Sequence, residues 1–252
     1  MDSCFPFKYR HYLHLTIRFP PMKHRAKVSY SVFFMLLWLC PAAPLRAGAP
    51  AVSAGQQHSL FLKTDGTVQG AGGNYWGQLG DGTGTDRNLP VASLVSGVQA
   101  ISAGQQHSLF LKTDGVVMAS GVNDGGQLGD GTLEARRTPV QVISGVQAIA
   151  AGYNHSLFLK TDGTVWATGY NLNGQLGDGM NTGRSTPVQV MSGVRAVAAG
   201  GAHSLFLKTD GTVWAAGFNL YGQLGDGTKT DRPTPVQVME GVRAVSAGRV
   251  HS

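Results

Sequence analysis

The stretch AGGAHSLFLKTDGTVWAAGFNLYGQLGDG, residues 199–227, recurs along the chain with few changes. Counterparts of its histidine, His203, lie at His58, His107, His155 and His251. The copies are therefore spaced by 49 residues once and by 48 residues thereafter. A fixed period of this length is typical of architectures in which one supersecondary unit is stacked on the next.

Each repeat has the composition of several short strands joined by tight turns. In the fourth unit the pattern predicts strands at 194–200, His203–Lys208, Thr212–Gly217 and Pro235–Met239. Thr-Asp-Gly separates the second strand from the third, and it favours a turn because aspartate bonds to nearby backbone and glycine accepts a positive φ. The Gly-Gln-Leu-Gly-Asp-Gly segment is predicted to be a loop.

A four-stranded unit of about 48 residues cannot bury both of its faces alone, whereas radial stacking of such units buries them. The predicted fold is therefore all-β, a β-propeller of four-stranded blades with about four blades present. The predicted units are about 51–99, 100–147, 148–195 and 196–243, with a partial fifth at 244–252, all within a repeat region of 50–252.

The recurring pattern AGxxHSLFLKTDGTVWAxGxNxxGQLGDG, followed by TPVQV, resembles the repeat of the regulator of chromosome condensation proteins. The resemblance covers essentially all of residues 51–252 and implies a propeller, usually of seven blades. Members of that family serve as exchange factors for a small nuclear GTPase, as chromatin binders and as interaction domains. A bacterial secreted relative inhibits β-lactamases. The repeat therefore indicates fold rather than activity.

The number of units differs from the family pattern. Four blades of this width form an open arc that exposes apolar blade faces at both ends. We expect the sequence to be truncated. The alternative is self-association through the open edges of the propeller.

The first 49 residues have the layout of a secretory leader. A basic segment at 22–27 precedes an apolar run at 28–40 and a Pro/Ala-rich stretch that ends near Ala47 and Ala49. This predicts a signal peptide over 22–49, cleaved after one of those alanines, and a bacterial-type protein that is secreted, periplasmic or at the cell surface. A membrane anchor is the alternative. We expect residues 1–21 to be a start-site artefact and Met22 to be the initiator.

The positive net charge of the chain belongs to its N-terminal part. Residues 1–48 contain seven Lys/Arg and one acid, whereas residues 49–252 contain thirteen Lys/Arg and thirteen Asp/Glu. A neutral repeat region lacks the basic surface that follows a phosphate backbone, so nucleic acid is not expected as a partner. Both cysteines, Cys4 and Cys40, also precede the repeats, so the repeats contain neither disulfides nor thiolate ligands.

The repeated polar residues indicate structural roles. Histidines at one position of each blade lie around a ring, too far apart to share a metal, and are expected to satisfy buried groups between blades. Aspartates in the Thr-Asp-Gly and Gly-Asp-Gly segments are expected to bond to their own turns, and the segment that starts at Asp81 is a poor calcium loop. No esterase, zincin or Walker motif occurs in the sequence. The sequence therefore predicts no catalytic residue, metal or cofactor.

Positions that differ between units are the candidates for partner binding, because the blade itself does not dictate them. They cluster between Ala-Gly and His-Ser and around the Asn that precedes Gly-Gln-Leu-Gly. The candidate residues are Tyr75, Trp76, Tyr153, Asn154, Tyr170, Leu172, Phe218, Leu220 and Tyr221. A third set follows Gly-Asp-Gly and consists of Arg87, Glu134, Arg136, Arg137, Arg184, Lys229 and Arg232. Trp166 and Trp214 lie within strands and are interpreted as packing residues.

These observations favour a secreted or surface scaffold for protein interactions, without catalysis. The expected partner is a protein, with no nucleic acid and no membrane after signal cleavage. Exchange on a small GTPase, as in the family's nuclear members, and inhibition of an extracellular enzyme are the alternatives. A propeller polysaccharide lyase or hydrolase is a further one, which requires a cluster of acids, His, Tyr or Arg on one face.

Overall fold

The computed structural model describes residues 51–252, which form sixteen β-strands in four sheets. The first two blades contain β1 (Ala51–Ala54), β2 (His58–Leu62), β3 (Val68–Gly72) and β4 (Arg87–Ala92), then β5 (Val98–Ala103), β6 (His107–Lys112), β7 (Val117–Gly121) and β8 (Arg136–Ile143). The last two contain β9 (Val146–Ala151), β10 (His155–Lys160), β11 (Val165–Gly169) and β12 (Arg184–Met191), then β13 (Val194–Ala199), β14 (His203–Lys208), β15 (Val213–Gly217) and β16 (Arg232–Met239).

Each sheet is an antiparallel meander in chain order, and the sheets stack side by side. The first strands of consecutive blades contact one another, so β1, β5, β9 and β13 follow the propeller axis while the fourth strands lie outermost. The prediction of an open four-bladed propeller is confirmed. The predicted Thr-Asp-Gly turns are also present: Gly66 has φ 78° and the Asp65 carboxylate accepts a hydrogen bond from Thr67 N at 2.9 Å.

The fourth strand is longer than predicted. It was expected to begin at Pro235 in the last unit, but β16 begins at Arg232, which pairs with Gly217. A register irregularity between Ala215 and Gly217 admits the extra residues. The proline at 233 is tolerated because this strand lies at the outer edge of the sheet, where a missing N–H removes no bond needed by a neighbour.

Aromatic side chains join the blades. Phe110, Phe158 and Phe206 are fully buried, and each packs into the leucine core of the preceding blade. Burying a phenylalanine contributes roughly 1.5 to 3 kcal/mol. Trp166 and Trp214 pack against the same cores, as the sequence predicts. These aromatic side chains therefore link the core of each blade to the next blade along the chain.

Apolar surface remains at both ends of the described arc. Val52 on blade 1 is 70% exposed, and Phe61 is half-buried where Phe110 is fully buried. A groove of about 470 Å³ runs along blade 4 beside Leu205 and Leu224. Self-association through these surfaces stays a prediction.

The expectations for the start site, the signal peptide and its cleavage fall on residues 1–49, outside the described residues. Within residues 51–252, no helix long and apolar enough to cross a membrane is found.

Candidate functional site

Two sets of loops meet at one end of the propeller. The first set, the axial loops, joins the first strand of each blade to the second, at 55–57, 104–106, 152–154 and 200–202. The second set, the outer loops, joins the third strand to the fourth, at 73–86, 122–135, 170–183 and 218–231. They share one end because the residue that starts each second strand pairs with the residue that ends the third, as His58 does with Gly72. We call this end the variable face.

Hydrogen bonds tie the two sets of loops together within each blade. Tyr170 N donates to Asn154 O at 2.8 Å, and Phe218 N donates to Ala202 O at the same distance. All nine candidate residues, from Tyr75 to Tyr221, consequently lie in loops of the variable face. The sequence placed them in two separate motifs, and the topology brings those motifs to one end of the molecule. Their role in binding stays a prediction.

Several of these side chains are solvent-exposed although they are apolar or aromatic. Tyr75 and Tyr221 are 66% and 67% exposed, and Leu172 and Leu220 are also exposed. Tyr75 lies edge-on to Trp76, with ring centroids 4.8 Å apart and an interplanar angle of 87°. Tyr153, Asn154 and Phe218 are half-buried. The variable face thus presents apolar groups that the core leaves uncovered.

A buried asparagine organises each outer loop. In blade 2, Asn123 Nδ2 donates to Asp130 Oδ1 at 3.0 Å, while Asn123 Oδ1 accepts from Leu128 N at 2.9 Å. Asp130 Oδ2 pairs with Arg136 Nε at 2.6 Å. The same asparagine and ion pair recur in the other three blades. The outer loops are therefore held in one conformation by an internal polar network.

Four arginines that the sequence grouped with partner-facing positions belong to this network. Arg87, Arg136, Arg184 and Arg232 each pair with the aspartate of their own loop. The aspartates have the turn-bonding role predicted for them, but the arginines are structural. The sequence feature that indicates this structural role is the fixed position of each arginine, six residues after the aspartate in every unit.

Burial and hydrogen bonds together set the ionisation of these carboxyl groups. At Asp130 burial is the largest single influence and raises the pKa, but hydrogen bonds from Thr132 and Arg136 together outweigh it, so the pKa lies below its usual value. The pKa of Asp226 is lowered by the same balance of causes. Both remain ionised at neutral pH and unavailable as general acids.

The repeated histidines cross the interfaces between blades. His107 Nε2 lies 3.0 Å from Ser156 Oγ in the next blade, and Ser156 Oγ donates to Gln127 O at 2.7 Å. Because the serine has one proton and gives it to the carbonyl, Nε2 must be the donor to the serine. The predicted role between blades is confirmed, with a serine hydroxyl as the intermediary to the backbone.

Burial controls the ionisation of these histidines. Burial lowers the pKa of His107 and His155 to about 3, and that of His58 and His203 to about 4. The imidazoles are therefore neutral links between blades at neutral pH. Their Nδ1 atoms make no hydrogen bond within the described part of the chain, and there no group of three or more metal-ligating side chains is found.

A series of backbone hydrogen bonds joins the axial loops of successive blades. Gln105 N donates to Tyr153 O at 3.2 Å, and Tyr153 N donates to Gly201 O at 3.3 Å. The glycine before each variable pair is required for space: a Cβ at Gly104 would overlap the His107 ring and Gly152 O. The sequence showed these glycines as repeated but not the close approach that demands them. The axial loops thus vary in side chain on a fixed backbone.

Comparison with known proteins agrees with this architecture. A family model described as an RCC1-like domain matches residues 40–252. Similar solved structures include yeast RCC1 (Prp20) bound to Kap60, at 24% identity and TM-score 0.68, which covers 76% of this chain and 48% of that one. Prp20p from Saccharomyces cerevisiae, characterised together with its binding to Gsp1p and histones, has 24% identity and TM-score 0.67, covering 79% and 53%.

Human WBSCR16 is also similar, at 25% identity and TM-score 0.71, covering 80% of this chain and 56% of that one. The chain thus spans about half the length of these solved relatives. No curated protein matches the chain significantly. The similarities to solved structures support the propeller fold.

Proposed function

The chain belongs to the RCC1-like domain family, and from that premise we propose that it is an exported scaffold that binds a protein through the variable face and performs no catalysis. Proteins of this family are in general of the binding or exchange-factor type. Export rests on the leader-like composition of residues 22–49.

The observation that carries the proposal is the contrast between a repeated framework and unrepeated side chains on one face. Every outer loop has the same asparagine and ion pair, yet the exposed positions differ from blade to blade. Hydrogen-bonded loops that present tyrosine and tryptophan to solvent have the composition of a protein-binding surface. Because these loops are already ordered, little conformational entropy is lost on binding.

Binding is favoured over catalysis because the repeated acids and histidines are already engaged. Asp81 accepts hydrogen bonds from Asn74 and Thr83 and pairs with Arg87, so its oxygens are occupied within its own loop. His107 is held between blades by Ser156. These groups are positioned to support loops and interfaces, not to transfer protons to a substrate.

The alternative is exchange on a small GTPase, as in nuclear family members. Prp20p, the yeast protein studied for binding to Gsp1p and histones, is 24% identical and is matched over only 53% of its length. A leader-like N-terminus and a repeat region with equal numbers of acidic and basic residues favour the exported scaffold over a nuclear, chromatin-bound protein. Inhibition of an extracellular enzyme is one form of the proposed scaffold role.

The test is chemical crosslinking of the purified full chain to the extracellular and periplasmic proteins of its host, followed by mass spectrometry. We expect a crosslinked partner that is lost with the triple variant Leu172→Ser, Leu220→Ser, Tyr221→Ser on the variable face. The matched control, Lys63→Ala with Thr64→Ala, changes an exposed turn at the opposite end and should retain the partner. A partner lost equally with both variants, or a small GTPase whose nucleotide release the chain accelerates, would overturn the proposal.

A further inference from the structure

A cleft on the variable face lies where the outer loop of blade 1 meets the fourth strand of blade 2. It has a volume of about 260 Å³ and is lined by Tyr75, Trp76, Ala135 and Arg137. We propose that this cleft binds an acidic peptide segment of a protein partner, in which a carboxylate engages Arg137 and an adjacent aromatic side chain packs on Tyr75 and Trp76. The inference rests on the proposed function and names the chemistry of the partner.

Arg137 is the basic wall of the cleft. Within residues 51–252, no carboxylate lies within ion-pair distance of its guanidinium, whereas Arg136 beside it is held by Asp130 at 2.6 Å. The side chain of Arg137 is exposed. A planar guanidinium with unused donors is suited to bind a carboxylate through two parallel hydrogen bonds.

The guanidinium of Arg137 packs against the backbone of Gly84. A Cβ at Gly84 would lie 2.9 Å from Arg137 Cζ, 2.9 Å from Nε and 3.0 Å from Nη2, so the guanidinium rests directly on the backbone there. Gly84 does not have a positive φ, so the loop conformation itself does not require glycine. The other units carry side chains at the corresponding position, namely Leu133, Asn181 and Lys229. Gly84 therefore provides room for Arg137 in this blade alone.

The aromatic wall is held by the loop framework. Trp76 N donates to Gln78 Oε1 at 3.2 Å, and Gln78 is almost fully buried. Trp76 keeps 37% of its surface exposed, and Tyr75 stands edge-on to it. The two rings form a corner rather than a flat platform, and a corner accepts the edge of an aromatic side chain. The backbone beneath the two rings is thus fixed by the loop framework.

The two adjacent aromatic residues with an arginine opposite them occur at only one of the three boundaries between the described blades. At the next boundary the corresponding residues are Asp124, Gly125 and Ser185, and at the third they are Leu172, Asn173 and Pro233. At that third boundary Asn173 Nδ2 donates to Asp231 Oδ2 at 2.9 Å, so its polar group is used internally. Because the fold forms all three boundaries, it does not itself require the aromatic and arginine pair.

Local charge favours a peptide carboxylate over a polyanion. Arg87 and Arg136, the other arginines near the cleft, are neutralised by Asp81 and Asp130. Glu134 and Asp86 add negative charge to the surrounding loops. A single available cation matches one carboxylate, whereas nucleic acids or heavily sulfated chains need several cations along a groove.

The experiment is selection of random twelve-residue peptides displayed on phage against the immobilised full chain, with counter-selection on the Arg137→Gln variant. We expect enrichment of peptides in which Asp or Glu adjoins an aromatic residue. The dissociation constant of a selected synthetic peptide should rise about tenfold when its acid is changed to the amide, as expected for the loss of one charge-assisted contact. Arg137→Gln should have a comparable effect, whereas Gly84→Ala should raise the dissociation constant by a smaller factor, because the exposed guanidinium can shift away from the added methyl group.

The matched control is Lys229→Ala, which changes the residue of blade 4 that corresponds to Gly84 and should leave the affinity unchanged. Circular dichroism and thermal melting verify that each variant is folded. The inference is wrong if no peptide is enriched, if selected peptides lack acids, if Arg137→Gln binds like the parent, or if an oligogalacturonate competes more strongly than the peptide. A crosslinked partner that is lost with the Leu172, Leu220 and Tyr221 variant but retained with Arg137→Gln would support the scaffold role and would contradict the binding of an acidic peptide in the cleft.

Discussion

Asn123 shows how a single side chain fixes a loop that the sequence describes only as irregular. Its amide links Asp130 to the backbone of Leu128, and it is fully buried. The sequence predicted the loop correctly from its glycines, but it gave the asparagine no role. The missing information was spatial: hydrogen bonds that join residues five and seven positions apart are not apparent from turn propensities.

Replacement of Asn123 by alanine tests this role. The change leaves the buried Leu128 N–H without a partner and removes one of several hydrogen bonds to Asp130, which keeps those from Thr132 and Arg136. We expect a loss of about 1 to 3 kcal/mol in the free energy of unfolding. Urea denaturation followed by tryptophan fluorescence measures it. Asn181→Ala is the control, because Asn181 is exposed and bonds only to Leu172 O. Equal losses for the two variants would show that the buried network does not organise the loop.

At the scale of the strands and loops, the sequence predicted most of the architecture. Motifs of fixed order and spacing placed the hairpin His203–Lys208 and Val213–Gly217 almost to the residue. The start of the fourth strand was wrong because Pro235 was taken as a boundary, whereas an outer edge strand tolerates proline. The candidate binding residues were identified by their variation between units, but their grouping on one face required the register of the strands.

The junction between blades gives the prediction at this scale. Phe158 of β10 is fully buried in the core of blade 2, whereas Phe61 occupies the same position of β2 and is only half-buried. Phe158→Ala should lower the free energy of unfolding by about 3 to 5 kcal/mol, since it leaves a cavity between two blades. Phe61→Ala should have less than half that effect in the same urea titration. If the two losses are equal, the blades are not held together by these aromatic side chains.

For the whole molecule, the histidines predict a dependence of stability on pH. Above about pH 7.5 the buried histidines are neutral in the folded and the unfolded chain, so their contribution is complete. Below it the unfolded chain takes up protons that His107 and His155, with pKa lowered to about 3 by burial, do not accept. Each buried histidine therefore lowers the free energy of unfolding by up to about 1.4 kcal/mol per pH unit as the pH falls from 6.5 toward 4.

This acid effect is separable from that of the aspartates and is measurable by urea titrations between pH 7.5 and 4.5. The loop aspartates have lowered pKa values, so their stabilisation is lost only as the pH falls below about 4, where an unfolded aspartate becomes protonated.

His107→Gln keeps an N–H donor for Ser156 but does not titrate, so its stability should fall less steeply with acid than that of the parent. His251→Gln, at an exposed histidine, should follow the parent. A free energy of unfolding that stays constant from pH 7.5 to 5 would mean that the histidines accept protons without separating the blades. The hydrogen bonds from these histidines to the serines of the next blade would then not be a determinant of stability.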